Sequence, residues 1–361
     1  MQDKPLQVTT VLLARPRGFC AGVEMAIKAL AWMVRAFEPP VYCYHEIVHN
    51  RLVVERFADL GVVFVDHVDD VPDGAPLMLS AHGSAPEVVA AAKSRGRFVV
   101  NAVCPLVTKV HHEARTRAGK GFTVLYVGHA GHDEAVGTLA VAPGSIALVE
   151  HEADVDAVAA RVKDPSKVAV LAQTTLSHND WSGVLGRARR QFPELWTASR
   201  DDLCFATTNR QAALSAIAER SDAVLVIGSA NSSNTIALAK VATDAGCPQV
   251  QRINGVDELD TAALAAAGAR VVGVTAGASA PEEIVSAVID RLAPSGGVEL
   301  VDVTDEDEYF PPPRELRELM PALDALVALS LGASPVEAAA RRGPFVDDRA
   351  VDASGVLAAL R

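Results

Sequence analysis

Short runs of apolar residues alternate along the chain with longer stretches in which apolar positions recur every three or four residues. The runs are TTVLLA (9–14), PPVYCY (39–44), APLMLSAHG (75–83), FVVNAVC (98–104), FTVLYVGHAG (122–131), VAVLAQTT (168–175), AVLVIGS (223–229) and RVVGVTAG (270–277). Between the first two, AGVEMAIKALAWMVRAF sets Val23, Ile27, Leu30 and Val34 on one helical face. Strands that are apolar throughout and alternate with helices are those of parallel sheets covered on both faces. The pattern therefore predicts an α/β protein. After PPP at 311–313 the strand signal stops, and Leu316, Leu319, Leu323 and Leu326 mark a helix. SPVEAAARRG reads as another, with Ser334 as cap and Pro335 in its first turn.

One local pattern recurs. ARPRGFCAG, NAVCPLV and DDLCFATTNR each place a cysteine just before a predicted helix, at Cys20, Cys104 and Cys204. Such spacing suits three similar α/β lobes, at 1–103, 104–203 and 204–317, followed by a helical extension at 318–361. Each lobe then offers one thiolate at the start of a helix, where the dipole favours the anion.

Composition narrows the partners. The 361 residues carry a formal charge of -12, so the surface repels polyanions and non-specific nucleic-acid binding is not expected. Residues 1–10, MQDKPLQVTT, have neither a secretory h-region nor the character of a transit peptide, and no apolar run approaches the ~20 residues of a membrane span. A cytoplasmic protein with no membrane attachment is expected. In that reducing compartment Cys20, Cys43, Cys104, Cys204 and Cys247 read as thiols or metal ligands. Cys43, inside a strand, and Cys247, in a loop, read as small buried hydrophobes.

Any one of the corner cysteines fits that bland role too; three in the same setting fit metal ligation better. They do not come in the close pairs of a zinc ribbon. They suit an iron–sulfur cluster, and a cube held by three cysteines keeps one iron open as a Lewis acid. Histidines gather in HEIVHN (45–50), SAHGS (80–84) and GHAGHDEAVGT (128–138), at the carboxyl ends of predicted strands, where open α/β sheets bind ligands. GSANSSNT (228–235) joins a strand to a helix with Ser232, Ser233 and Asn234 together, and TAGASAPEEIV (275–285) repeats the device with Ser279. Hydroxyls, amides and the free N–H groups of a helix start can cradle a phosphate, although simple capping also accounts for such residues. QTTLS (173–177) exposes adjacent hydroxyls after another strand.

Taken in order, RGFCAGV, HEIVHN, SAHG, CPLVTKVH, GHAGH with its nearby Glu, QTTLS, CFATTNRQ, GSANSSN and GVTAGASAP resemble the motifs of the LytB family of 4-hydroxy-3-methylbut-2-enyl diphosphate reductases. The resemblance runs from about residue 10 to about residue 317. It implies a trefoil of three lobes around a central [4Fe–4S] cluster, one per subunit. The reaction implied is reductive removal of an allylic hydroxyl to give isopentenyl and dimethylallyl diphosphates, the last step of the methylerythritol phosphate route to isoprenoids. Matched by position, Cys20, Cys104 and Cys204 would hold the cluster. His49, His82, His132, Ser232, Ser233, Asn234 and Ser279 would bind diphosphate, the histidines adding hydrogen bonds and, when protonated, charge. Glu134 and Thr174 would serve the hydroxyl end, with Glu134, Thr174 and His132 as the catalytic set and Glu134 as proton source. Ferredoxin or flavodoxin would supply electrons.

The chain departs from the family pattern at two places. Asn101, Ala102 and Val103 precede Cys104 where the family has DAT, and Asp133 stands where a proline is usual. The first change alters the surroundings of a ligand and the second the aim of Glu134. Two rival readings are a non-catalytic iron or redox sensor on the same fold and a cluster-free α/β phosphotransferase. A sensor would have lost the Glu or a Cys, and the phosphotransferase would leave the corner cysteines idle and lacks a GxxxxGK[ST] loop here.

Overall fold

The computed structural model describes residues 6–198, 202–332, 334, 349 and 351–360. They fall into two compact units, one built from Met1–Cys20, His49–Arg51 and Leu106–Asp307, the other from Ala21–Val48, Leu52–Pro105 and Glu308–Arg361. Every strand pairing in the three sheets is parallel, as the continuous apolar runs require.

The first unit contains two of the sheets. A five-stranded sheet has the order β11 (Val250–Ile253), β10 (Ala223–Ile227), β12 (Val271–Ala276), β1 (Thr10–Arg15), β13 (Val298–Asp302). β1 thus sits between two strands that follow it by more than two hundred positions, paired Leu12 to Gly273 on one side and Leu12 to Glu299 on the other. A four-stranded sheet has the order β7 (Ile146–Val149), β6 (Thr123–Val127), β8 (Val168–Ala172), β9 (Trp196–Thr197). The central strands β8, VAVLA, and β10, AVLVI, are buried at every position. The second unit holds the third sheet, β3 (Val62–Val65), β2 (Val41–Tyr44), β4 (Pro76–Leu79), β5 (Phe98–Asn101).

Helices α1 (Ala21–Ala36), α2 (Arg51–Asp59), α3 (Pro86–Arg95), α4 (Pro105–Gly119), α5 (Asp133–Ala140), α6 (Asp154–Ala159), α7 (His178–Gln191), α8 (Phe205–Ala218), α9 (Ser233–Asp244), α10 (Thr261–Ala267) and α11 (Glu282–Leu292) make the crossovers. The single apolar face expected of α1 is an underestimate. Ile27 and Leu30 are fully buried, but so are Ala26, Ala29 and Met33, while Val23 and Val34 are only partly covered. Burial reaches round the helix far enough to enclose Lys28, whose ammonium lies 3.3 Å from Glu24 one turn earlier. The pairing offsets the desolvation that pushes the Glu24 carboxyl upward.

The helix expected after the triple proline is α12 (Arg314–Ser330), in which Leu316 and Met320 are buried and Leu326 is exposed. It packs on β5, and α13 (Ala353–Ala358) packs on α1. The helix expected at SPVEAAARRG lies outside the described residues except for Ser334.

Candidate functional site

In the first unit the carboxyl ends of β6, β8, β10 and β12 carry the histidine and hydroxyl motifs. Beyond β6 the chain runs through GHAGH into α5, and the ring of His132 caps that helix, its Nδ1 accepting the Glu134 N–H at 3.2 Å. The cap leaves Glu134 on the first turn facing inward, 3% exposed. Beyond β8, Thr174 meets it with two donors: the main-chain N–H reaches Oε1 at 2.8 Å and the hydroxyl reaches Oε2 at 2.9 Å.

Burial pushes the Glu134 carboxyl up to about 7, against the pull of the two Thr174 donors, with Asp202 adding a smaller upward push. Asp202 is itself raised by burial to about 6, with Lys109 at 3.5 Å opposing. Tyr126 is fully buried next to Glu134, and burial first, then the charge of Glu134, keeps its phenol protonated. His132 moves the other way. Burial, and then the nearby His49, lower it to about 4, although Asp133 opposes. With its Nδ1 accepting in the helix cap and burial disfavouring the charged form, the neutral ring is the favoured state of His132 here.

His49 reaches this same place. Its ring stands edge-on to His132 with centroids 5.4 Å apart. Two serines fix its backbone: the Ser279 hydroxyl donates to the His49 carbonyl at 2.8 Å, and Ser229 Oγ accepts the Arg51 N–H at 3.2 Å. Ser279 is thus spent on positioning His49.

The GSANSSNT loop begins at Gly228, with φ of +149°, and ends in α9, where Ser232 Oγ accepts the Thr235 N–H at 3.3 Å. One serine does the capping, so Ser233 and Asn234 have other tasks. Ser233 Oγ accepts from Gln173 Nε2 at 3.0 Å, leaving its own proton to give. Asn234 Oδ1 accepts the Ala278 N–H at 2.9 Å, which aims its amide nitrogen the other way, buried and without a partner. A buried orphan donor is what an absent acceptor would satisfy. Gly228 and Gly277 flank Thr235 so closely that a Cβ on either would lie 2.3 Å from Thr235 Oγ1. A cleft of about 360 Å³ opens beside these loops, lined by His129, His132, Ser177, Asp180, Ser233 and Lys240.

Two of the corner cysteines belong to this unit. The Cys20 N–H is bound by the Ala278 carbonyl at 3.2 Å, and the Cys204 N–H by the Thr174 carbonyl at 3.0 Å. Both side chains are part-exposed, each directly preceding a helix, and none of the five cysteines is in a disulfide. Cys43 and Cys247 are buried, and burial raises both thiols, as suits the inert role expected of them. The chemistry of the donor set fits a thiolate-ligated cluster: accessible sulfurs on backbone-anchored corners.

In the second unit, Cys104 and His82 follow β5 and β4, and the Cys104 N–H donates to the Ala81 carbonyl at 3.0 Å. Asn101 turns the chain there by accepting the Val103 N–H at 3.2 Å, a role the family's aspartate would also fill.

Sequence reasoning passed over Tyr126, Gln173, Asp202 and Arg210. Gln173 is fully buried, accepting from His129 N–H at 3.0 Å and donating to Thr175 and Ser233. Its place at the head of QTTLS was a usable signal; an acid just before Cys204 was another.

A family model described as LytB protein matches residues 11–293. Among similar proteins, "4-hydroxy-3-methylbut-2-enyl diphosphate reductase 1" of Mycobacterium bovis is 46% identical over 309 residues, covering 85% of this chain and 91% of that protein. The "4-hydroxy-3-methylbut-2-enyl diphosphate reductase" of Paracoccus denitrificans is 45% identical over 321 residues, covering 88% of this chain and 100% of its own. Among solved structures, the E-1-hydroxy-2-methyl-but-2-enyl-4-diphosphate reductase from Plasmodium falciparum superposes with a TM-score of 0.82 at 31% identity, covering 88% of this chain and 99% of that one. A family model matched over residues 11–293, with relatives 45–46% identical over most of their own length, places the chain in the LytB family.

Proposed function

We propose that the chain is an iron–sulfur oxidoreductase that reduces 4-hydroxy-3-methylbut-2-enyl diphosphate to isopentenyl and dimethylallyl diphosphates; the names of its relatives, 4-hydroxy-3-methylbut-2-enyl diphosphate reductases, support the reductase part of this reading. The observation that carries the reading is Glu134, a buried carboxyl poised near 7 and doubly held by Thr174. In this reading Cys20, Cys104 and Cys204 hold a [4Fe–4S] cluster, which when bound supplies reducing electrons and a Lewis-acidic iron for the allylic hydroxyl.

The residues of the chain then divide the remaining work. Ser232, Ser233, Asn234, His49, His82 and His132 bind the diphosphate. Ser233 and the orphan amide of Asn234 donate directly, while Ser279 acts by holding His49 in place. A neutral His132 donates from Nε2 without bringing a charge that burial would penalise. At the hydroxyl end, protonated Glu134 can pass its proton to Thr174 Oγ1, 2.9 Å away, whose own hydroxyl proton then moves on to the departing oxygen. The burial of Glu134 keeps that proton from bulk water. Ferredoxin or flavodoxin as electron donor and a cytoplasmic location complete the proposal. Among the described residues no helix is long and apolar enough to cross a membrane.

The test is anaerobic purification followed by iron and sulfide analysis and an assay of the allylic diphosphate with a chemical reductant. Brown protein converting the substrate to both products is the expected result; colourless, iron-free, inactive protein overturns the reading.

A further inference from the structure

The TTNRQ stretch after Cys204 has no role in the chemistry of proton delivery or diphosphate binding. Its residues lie on the first two turns of α8, and three consecutive side chains tie that helix to other segments of the first unit, Asn209 and Arg210 sharing Glu306 as a partner. Asn209 Nδ2 donates to Glu306 Oε2 at 3.1 Å. Gln211 Nε2 donates to the Leu176 carbonyl at 3.0 Å, and its Oε1 accepts the His178 N–H at 2.9 Å. Among the described residues Arg210 is the largest fully buried side chain, 1% exposed.

A buried guanidinium is tolerated only when its donors are matched and its charge is answered. Arg210 meets both conditions. Nε donates to the Gly18 carbonyl at 2.9 Å and Nη2 to the Phe19 carbonyl at 3.0 Å, while Nη1 donates to the Ala206 carbonyl at 2.9 Å and to both Glu306 oxygens at 3.1 and 3.0 Å. The carbonyls it grips on one side are those of the two residues before Cys20; the carbonyl on the other belongs to the second residue after Cys204. The opposite edge of the Cys20 loop is fixed as well, its Gly18 and Cys20 N–H groups donating to the Ala276 and Ala278 carbonyls at 3.1 and 3.2 Å. Gly18, at φ of +68°, makes the turn that points consecutive carbonyls at one guanidinium.

We propose that Arg210 is a positioning residue that locks the Cys20 loop to the helix led by Cys204, and so sets the mutual placement of two thiolates of the metal site. The inference rests on the cluster reading and adds a residue that touches neither metal nor substrate. A lysine cannot substitute. Its single ammonium can reach one of the carbonyls but not fork across Gly18 and Phe19 while also meeting Glu306.

The experiment compares wild type, Arg210→Lys, Arg210→Gln and Glu306→Gln, purified and reconstituted anaerobically, with two readouts. The first is the rate of iron release to a chelator, followed by the loss of cluster absorbance. The second is amide hydrogen exchange over residues 15–22 in the metal-free chains, with β8 and β10 as internal controls for folding. Arg210→Lys and Arg210→Gln are expected to release iron about 10-fold faster or more, with faster exchange confined to 15–22 and the start of α8. Glu306→Gln, which keeps the acceptor oxygen and loses the charge, is expected to fall between. Wild-type release rates in the Arg210 variants, or exchange at 15–22 unchanged, overturn the proposal, as does exchange rising equally in β8 and β10, which marks Arg210 as a general core residue. Wild type that retains no iron overturns the cluster reading instead, and the exchange data still decide whether Arg210 holds the two segments.

Discussion

Thr174 holds both oxygens of Glu134, one through its main-chain N–H at 2.8 Å and the other through its hydroxyl at 2.9 Å. The two donors favour the carboxylate while burial favours the acid, and burial wins, leaving the group near 7. Removing one donor tips the balance further. Thr174→Val, which also removes the proposed proton relay and so lowers kcat/KM at every pH, is expected to move the alkaline limb of the residual kcat/KM upward by about one pH unit, the equivalent of one hydrogen bond to a charged group, while Thr174→Ser keeps the wild-type profile. An unmoved limb in Thr174→Val would detach the pH dependence from Glu134.

In the proposed mechanism, replacing Glu134 by Gln removes the proton source and keeps the shape of the side chain. Thr174 Oγ1 can rotate to accept from the new amide, so the fold and the iron content should survive while turnover falls by about 100-fold or more. Steady-state assays beside iron analysis check this, and full activity in the variant would remove Glu134 from the chemistry.

The same carboxyl links pH to stability. Folded, it keeps its proton up to about 7; unfolded, it loses it near 4.5, so folding takes up a proton between those values. The contribution of the protonated group is fully present below pH 4.5 and is lost as the pH rises through 7, by something on the order of 3 kcal/mol. Urea midpoints measured at pH 5 and pH 8 should therefore differ more in wild type than in Glu134→Gln.

These three expectations depend on contacts that the sequence only half discloses. The central strands β8 and β10 are apolar at every position and were readable as such, whereas the edge strands β11 and β13 carry Gln251, Arg252, Glu299 and Asp302 on half-exposed backbone and hide among loops. The expected strands also ran past their true ends. FVVNAVC stops pairing at Asn101 and VAVLAQTT at Ala172, because the residues after each of those points turn out of the sheet to build the site. The corner cysteines and the Glu134 motif were visible from spacing and resemblance. The grip of Arg210 on Gly18, across 192 positions, has no local signature at all.

Cysteine replacements should sort by setting. Cys20→Ser, Cys104→Ser and Cys204→Ser are each expected to bleach the anaerobic protein, while Cys43→Ala and Cys247→Ala, in buried positions, should alter stability and leave the iron in place. Iron per chain decides it; full iron in Cys104→Ser would end its assignment as a ligand.

Gly277 tests the proposed diphosphate loop. A methyl group there would meet Thr235 Oγ1 at 2.3 Å and Asn234 Oδ1 at 3.6 Å, so Gly277→Ala must shift the Thr235 side chain and is expected to disturb the adjoining Asn234 amide. A loss of about 1–3 kcal/mol in stability and weaker inorganic diphosphate binding by calorimetry are expected. Unchanged binding would mean that Asn234 does not face the anion.

The seat of β1 between β12 and β13 has a bearing on how the protein is made. The strand leading to Cys20 is made long before its two neighbours, which are complete only once residue 302 has been added. Glu306, which answers the charge of Arg210, comes later still. Vectorial synthesis therefore leaves the first thiol corner unanchored until those later strands have been made, and in the cluster reading iron and sulfide have a settled place there only after that point.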